Sequence, residues 1–288
     1  PSTPPQVVQV EVLNDTTGCV VDRGGSVHCQ GQNGFNGLGF GAARTGNLLR
    51  WRTWPNEAVV ERIELSRAYG CYRRRDQTLW CFGQHLPEHE RIELPGPVSE
   101  FAVARAGGCA LVEGEAWCWG QIDGLRPERL TDDRWAALAA STRAGRMAIT
   151  RPLVQLAIGS TVCAIDDRET LQCLASTGLW QTLEAITGAV QIEGVLPRHD
   201  TANGNQCVRA QGQVWCWGDE NSFAQLGAGN FDRDVPEPSR VAGVSEADRM
   251  TMTATNVCVR MGGQWSCWGR AQKNDHATAR AYAVERAP

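Results

Sequence analysis

Residues Cys207 to Gly218 read CVRAQGQVWCWG, and versions of that stretch recur from one end of the chain to the other. They are CVVDRGGSVHCQG (Cys19–Gly31), CYRRRDQTLWCFG (Cys71–Gly83), CALVEGEAWCWG (Cys109–Gly120), CAIDDRETLQCLA (Cys163–Ala175) and CVRMGGQWSCWG (Cys258–Gly269). In each, a cysteine opens an apolar strand, a polar or glycine-containing turn follows, and a second strand ends in cysteine, a large residue and a small one. That is a β-hairpin signal six times over. A repeated supersecondary unit decides the architecture before other features do, because units that need neighbours to bury their faces build one continuous body.

The twelve cysteines form six pairs with none left over: Cys19 with Cys29, Cys71 with Cys81, Cys109 with Cys118, Cys163 with Cys173, Cys207 with Cys216 and Cys258 with Cys267. Each pair brackets a hairpin, which sets its members opposite each other on adjacent antiparallel strands, close enough to bridge. Zinc is the competing reading and fails on spacing, since zinc ribbons use C-x₂₋₄-C knuckles with four ligands together. Six hairpin disulfides place the protein outside the cytoplasm: secreted, periplasmic or tethered at a cell surface. The formal net charge is −4 and the only run of basic residues is Arg73, Arg74 and Arg75, which argues against nucleic acid as a partner. No apolar run approaches the length of a membrane span.

Successive first cysteines are 52, 38, 54, 44 and 51 residues apart, the spacing of four-stranded propeller blades. A first strand precedes most hairpins: Val8, Val10 and Val12; Ile63 and Leu65; Phe101 and Val103; Val154 and Leu156; Met250 and Met252. In the fifth unit, near Val190 to Val195, it is less distinct. A last strand follows, as at Val235 to Val241. Trp80 with Phe82, Trp117 with Trp119, and Trp215 with Trp217 flank their cysteines, so each pair shares one sheet face and reads as blade packing. The expectation is an all-β single propeller over residues 7–288, with residues 1–6 a linker or closing strand. Six blades are preferred and seven possible. Trp135 to Thr150 is the sole candidate for a seventh hairpin, and either Pro5 to Val8 or Ala281 to Val284 supplies the last outer strand.

The pattern apolar–Trp–Cys–Trp–Gly, then an Asn-rich turn, then Leu-Gly-x-Gly resembles the regulator of chromosome condensation repeat, in its bacterial, cysteine-paired, secreted variety. The best unit is Cys207 to Val241, with Gln225, Leu226, Gly227 and Gly229 on the family's Gly-Gln-Leu-Gly turn; Asn33 to Gly41, NGFNGLGFG, keeps a version without the Gln. The resemblance implies a propeller, and its functions divide. The nuclear exchange-factor role is incompatible with six disulfides. The Gly-Trp-Arg-His-Thr motifs of the family's plant UV-B photoreceptor are absent. A secreted propeller inhibitor of β-lactamases is similar in compartment and size.

No catalytic constellation emerges. The histidines His28, His85, His89, His199 and His276 do not recur at equivalent positions. His85-Leu-Pro-Glu88-His89 matches H-x-x-E-H, but Pro87 opposes the helix that motif needs. Neither Asp219, Glu220 and Asn221 nor Asp232 and Asp234 have calcium-loop spacing. Gly34 to Gly41 reads as turn geometry, and Asn14-Asp15-Thr16 is a glycosylation sequon. The stretch with binding character is Asn47 to Trp54, NLLRWRTW, read as an insertion between the first two hairpins. Trp and Arg dominate binding hot spots and propeller connections carry recognition. Candidate binding residues are therefore Leu48, Leu49, Arg50, Trp51, Arg52 and Trp54, with the basic turn Arg73, Arg74 and Arg75. The functional expectation is a non-enzymatic, monomeric recognition module without cofactor or metal, holding a protein partner through rim loops. A carbohydrate- or envelope-binding propeller, stacking sugars on Trp51, Trp54, Trp135 or Trp180, and an enzyme inhibitor are the alternatives.

Overall fold

A computed structural model describes residues 6–14, 16–41, 46–55, 59–122, 142–147, 149–175, 179–196, 204–232, 234–270 and 277–283. The chain divides into two compact units, residues 1–122 with 126–147, and 123–125 with 148–288. In the first unit, blade one is β1 (Val7–Asn14), β2 (Thr17–Asp22), β3 (Val27–Gln32) and β4 (Asn47–Thr53). Blade two is β5 (Val60–Leu65), β6 (Tyr69–Arg74), β7 (Leu79–Gly83) and β8 (Leu86–Arg91). Blade three is β9 (Val98–Val103), β10 (Ala106–Val112), β11 (Glu115–Gln121) and the short β12 (Gly145–Arg146).

In the second unit, blade four is β13 (Leu153–Ile158), β14 (Val162–Asp166), β15 (Thr170–Leu174) and β16 (Trp180–Thr187). Blade five is β17 (Ala189–Val195), β18 (Asn205–Ala210), β19 (Gln213–Gly218) and β20 (Val235–Arg240). Blade six is β21 (Ala247–Met252), β22 (Asn256–Met261), β23 (Gln264–Arg270) and β24 (Ala277–Ala283). Every sheet is antiparallel and runs in chain order, and together they are the six four-stranded blades of a β-propeller.

The expected pairing of cysteines holds in every blade: Cys19–Cys29, Cys71–Cys81, Cys109–Cys118, Cys163–Cys173, Cys207–Cys216 and Cys258–Cys267. Each cysteine sits directly opposite its partner on the middle hairpin, with Cα atoms 4.0–4.1 Å apart. The two members of a bridge are not always equally enclosed. Cys163 is fully buried while Cys173 is half-buried, and Cys258 is half-buried while Cys267 is 6% exposed.

The seams within each unit follow one rule. The cystine of a blade lies on the face that meets the next blade, and the residue following the second cysteine lies on the opposite face, against the previous one. Thus Cys19 and Cys29 share a core with Ile63 and Phe82, and Cys71 and Cys81 with Phe101 and Trp119. In the second unit Cys163, with Cys173 at the margin, packs with Ile192 and Trp217, and Cys207 and Cys216 pack with Met250 and Trp268. Sulfur–aromatic contact and burial make these seams cohesive. A glutamine two residues into several first strands ties the same seam from the cystine's own blade. Gln9 Nε2 donates to Ile63 O at 2.7 Å and its Oε1 accepts from Ile63 N at 2.9 Å; Gln191 treats Met250 in the same way.

Two expectations change and two open points close. Asn47–Thr53 is not an inserted loop but the outer strand β4, because blade one needs a fourth strand and its hairpin supplies only two. The residue before the second cysteine is half-buried in Trp80, Trp117 and Trp215, unlike the enclosed Phe82, Trp119, Trp217 and Trp268 beyond it. It lies toward the hairpin turn, where the Trp80 indole N–H reaches Thr78 Oγ1 at 3.0 Å. Of the two candidates for the last outer strand the C-terminal one holds, since β24 includes Ala281 to Ala283, while Val7 and Val8 belong to β1. The preferred count of six blades holds: Gly145–Arg146, inside the stretch weighed as a seventh hairpin, pairs with Trp117 and Cys118 as β12. Asp15, Trp135, His199, His276 and Val284 lie outside the described residues.

Candidate recognition surface

β4 is the outer edge of blade one, and its local geometry follows from a register shift. Arg52 lies opposite Cys29 and Leu48 opposite Gly31, so three residues of β4 face one of β3. The same bulge occurs between Glu90 and Leu86 of β8 and between Ser239 and Val235 of β20. It recurs between Tyr282 and Thr278 of β24, with Ala279-Arg280-Ala281 bulged, so these outer strands can be superimposed by register. At the inner ends, Leu48, Leu86 and Val235 are buried, as are Trp54, Ile92 and Val241 just past each strand. The bulged residues between are Leu49-Arg50-Trp51 in blade one, Pro87-Glu88-His89 in blade two and Pro236-Glu237-Pro238 in blade five.

This separates the candidates. Leu48 and Trp54 belong to the core. Trp54 is 4% exposed, donates its indole N–H to Leu38 O at 2.8 Å, and packs edge-on against Tyr72, Phe82 and His89. The exposed set is Leu49 at 84%, Trp51 at 55%, and the arginines Arg50 and Arg52 beside them. Edge strands are ordinarily blunted by proline and charge. Blades two and five obey that rule with Pro-Glu; blade one places leucine and tryptophan there instead.

The basic turn of blade two is engaged within its own unit. Arg73 Nη1 donates to Val98 O at 3.2 Å and to Ser99 O, and its Nη2 pairs with Glu61 at 3.2 Å. The Arg74 guanidinium lies 4.1 Å over the Trp80 ring, and Arg75 Nη2 reaches Arg23 O at 2.8 Å. Arg73 thus ties blade two to blade three and Arg75 ties it to blade one. They sit at a hairpin tip, whereas Arg50 and Arg52 sit on an outer strand.

The H-x-x-E-H motif separates too. His89 Nε2 lies 2.7 Å from Gly39 O, so it donates, and Nδ1 accepts from Tyr72 Oη at 3.0 Å. Burial holds its pKa below the usual histidine value. Burial likewise raises the Tyr72 hydroxyl. Among the described residues no group of three or more His, Cys, Asp or Glu side chains could hold a metal ion.

The two Leu-Gly turns are one structure used twice. Asn33 Oδ1 accepts from Leu38 N at 2.8 Å, and Asn221 Oδ1 from Leu226 N at 2.9 Å. A tryptophan N–H caps each turn, Trp54 on Leu38 O and Trp268 on Gln225 O at 2.9 Å. Gly227, at φ +65°, leaves no room for a Cβ, which would lie 2.8 Å from both the Trp268 indole nitrogen and Val241. A shallow groove of about 720 Å³ in the first unit is lined by Trp80, Glu90, Arg91, Glu93, Trp117 and Thr142.

No protein-family model and no curated protein matches the chain. Solved structures do. Human WBSCR16 aligns with TM-score 0.75 over 99% of this chain and 83% of its own, at 12% identity. Prp20p of Saccharomyces cerevisiae aligns with TM-score 0.74 over 97% of this chain and 77% of its own, also at 12% identity. The fold is that of an RCC1-like propeller. The ectodomain of the Arabidopsis thaliana receptor kinase ACR4 matches with TM-score 0.53 and 13% identity over 92% of this chain and 78% of its own. At these identities the propeller fold is shared and the surface residues are this chain's own.

Proposed function

We propose that this RCC1-like propeller is a non-enzymatic recognition module outside the cytoplasm that binds another protein through the outer strand of its first blade. The observation that carries the reading is the exposure of Leu49 and Trp51 at a bulge where blades two and five place Pro-Glu. Aromatic and arginine side chains on a rigid scaffold are what hot spots are made of. Arg50 and Arg52 add positive charge on each side, so the fitting partner surface is an apolar pocket with an acidic rim. Six disulfides support an oxidising compartment: secreted, periplasmic or surface-tethered. One solved propeller of this fold, Prp20p (yeast RCC1), is described with protein partners, Gsp1p, histones and Kap60. An enzyme inhibitor is one form of this reading, in which the bound partner is an enzyme. Arg73, Arg74 and Arg75 contribute only at the periphery, since each is already engaged.

The test is affinity capture of secreted and envelope proteins on the oxidised protein, with Leu49→Ala/Trp51→Ala alongside. A specific partner whose affinity falls by about 30-fold or more in the double variant is the expected result, as for loss of a hot spot of ~2 kcal/mol. A partner bound equally by both forms would move the site elsewhere. Recovery of polysaccharide alone would favour the second reading, in which Trp80 and Trp117 stack a sugar beside Glu90, Arg91 and Glu93 in the groove. That outcome would be lost in Trp117→Ala, not in the β4 variant.

A further inference from the structure

The two Leu-Gly turns are clamped from the following blade in different ways. In blade five the clamp is Trp268, whose indole N–H donates to Gln225 O at 2.9 Å. Blade two carries Phe82 at that register position, a ring with no donor. Its hydrogen bond to blade one's turn comes instead from His89, whose Nε2 lies 2.7 Å from Gly39 O. The turns are otherwise built alike, from the acceptors Asn33 and Asn221 to the left-handed glycines Gly39 and Gly227. The difference is chemical: an indole N–H keeps its proton across the physiological range, whereas an imidazole titrates within it.

The outer end of the seam between blades one and two closes on this histidine. Its ring lies 4.8 Å from Trp54, 5.0 Å from Phe82 and 5.4 Å from Tyr72, centroid to centroid. We propose that His89 is a proton-operated latch: on protonation the Asn33–Gly41 turn and Trp54 come away from blade two, while the matching turn of blade five stays shut. Opening uncovers the apolar cluster of Leu38, Trp54, Tyr72 and Phe82. In the neutral ring Nε2 donates to Gly39 O and Nδ1 accepts from Tyr72 Oη at 3.0 Å. A further proton puts an N–H where the Tyr72 hydroxyl donates and brings a charge into an enclosed site. Burial opposes that charge most, and Arg74 of β6 opposes it too; the bond to Gly39 O and Glu88, beside the ring on β8, favour it. Tyr72 stays neutral, because burial raises its hydroxyl pKa. The turn, Trp54 and Phe82 bring no charge. The opposing influences win, so the open form takes up the proton more readily than the closed one. The latch is therefore shut above the ordinary histidine value of about 6.5 and released as pH falls below it. All these residues lie in blades one and two of the first unit, and the latch stands or falls separately from the partner reading of β4.

The experiment is hydrogen exchange of the oxidised protein, followed by NMR at pH 7.5 and 5.5 and corrected for the intrinsic rate at each pH. Turn amides exchange by local opening. Leu38 N, Gly39 N and the Trp54 indole N–H report the latch; Leu226 N, Gly227 N and the Trp268 indole N–H are their counterparts in blade five. The expected result is protection in blade one's turn that falls about tenfold at pH 5.5, one unit below the ordinary histidine value, with blade five's turn unchanged. His89→Gln, which keeps a donor for Gly39 O but does not titrate, should remove the fall. Equal protection at both pH values overturns the proposal, as does an equal fall in both turns or a fall that persists in His89→Gln. An NMR titration of the wild-type His89 ring checks the same linkage without a variant. The ring should titrate more than about one unit below the ordinary value, and titration any closer to it overturns the latch.

Discussion

At the scale of single residues, the buried histidine has the clearest consequence. His89 is held neutral, donating to Gly39 O and accepting from Tyr72, and its pKa is lowered by burial. The unfolded chain binds a proton near the ordinary value of about 6.5 that the folded chain takes up only at lower pH. Stability therefore falls as pH drops through the window below about 6.5 and levels off above it. Thermal or urea unfolding at pH 7.5 and 5.5 should show the loss, and His89→Gln should flatten it. Asp166 acts in a lower range. Burial pushes its carboxyl up, but hydrogen bonds from the backbone of Thr170 and Arg168 and from the Thr170 and Gln172 side chains outweigh that and hold it below the usual value. Its stabilising effect is present above the ordinary carboxyl value of 3.8 and disappears with further acid. At Gly227 the argument is steric. Gly227→Ala combines a left-handed backbone with a Cβ that has no space, and should cost about 1–3 kcal/mol in unfolding free energy.

At the scale of elements, the hairpins are legible in sequence because their signal is local. Two cysteines nine or ten residues apart, a turn between them and alternation on both sides are all contained in one short window. The outer strands are not legible in the same way. β4 reads as an insertion because its pairing partner Gly31 lies well upstream and because three bulged residues break its alternation. Composition groups Leu48 and Trp54 with Leu49 and Trp51, and only the register against β8 and β20 sends one pair inward and the other outward. The basic turn is ambiguous for another reason: arginines at a tip look free until the neighbouring blades are in place, and Arg73 and Arg75 spend their hydrogen bonds on those neighbours. The signal available in sequence is the Pro-Glu of β8 and β20; the bulges of β4 and β24 both lack it, and of those two β4 carries leucine and tryptophan where β24 reads Ala279-Arg280-Ala281. The element itself gives a further expectation. Removing the hairpin bridge with Cys207→Ala/Cys216→Ala should lower stability by about 2–4 kcal/mol, read by denaturant unfolding, with the smaller figure if the reduced chain keeps residual hairpin structure.

At the scale of the whole molecule, the linkages have a consequence for how the chain is made. Every disulfide joins cysteines separated by only nine or ten residues, and none joins one blade to another. Twelve cysteines admit on the order of 10⁴ pairings, extending the count of about 105 for eight. Here the right partner is always the next cysteine to emerge. Where the chain meets an oxidant N-terminus first, each hairpin can be oxidised before the next cysteine pair arrives, with no shuffling required. The same locality makes the blade a self-contained genetic cassette, one that can be duplicated or deleted without orphaning a thiol anywhere else in the protein.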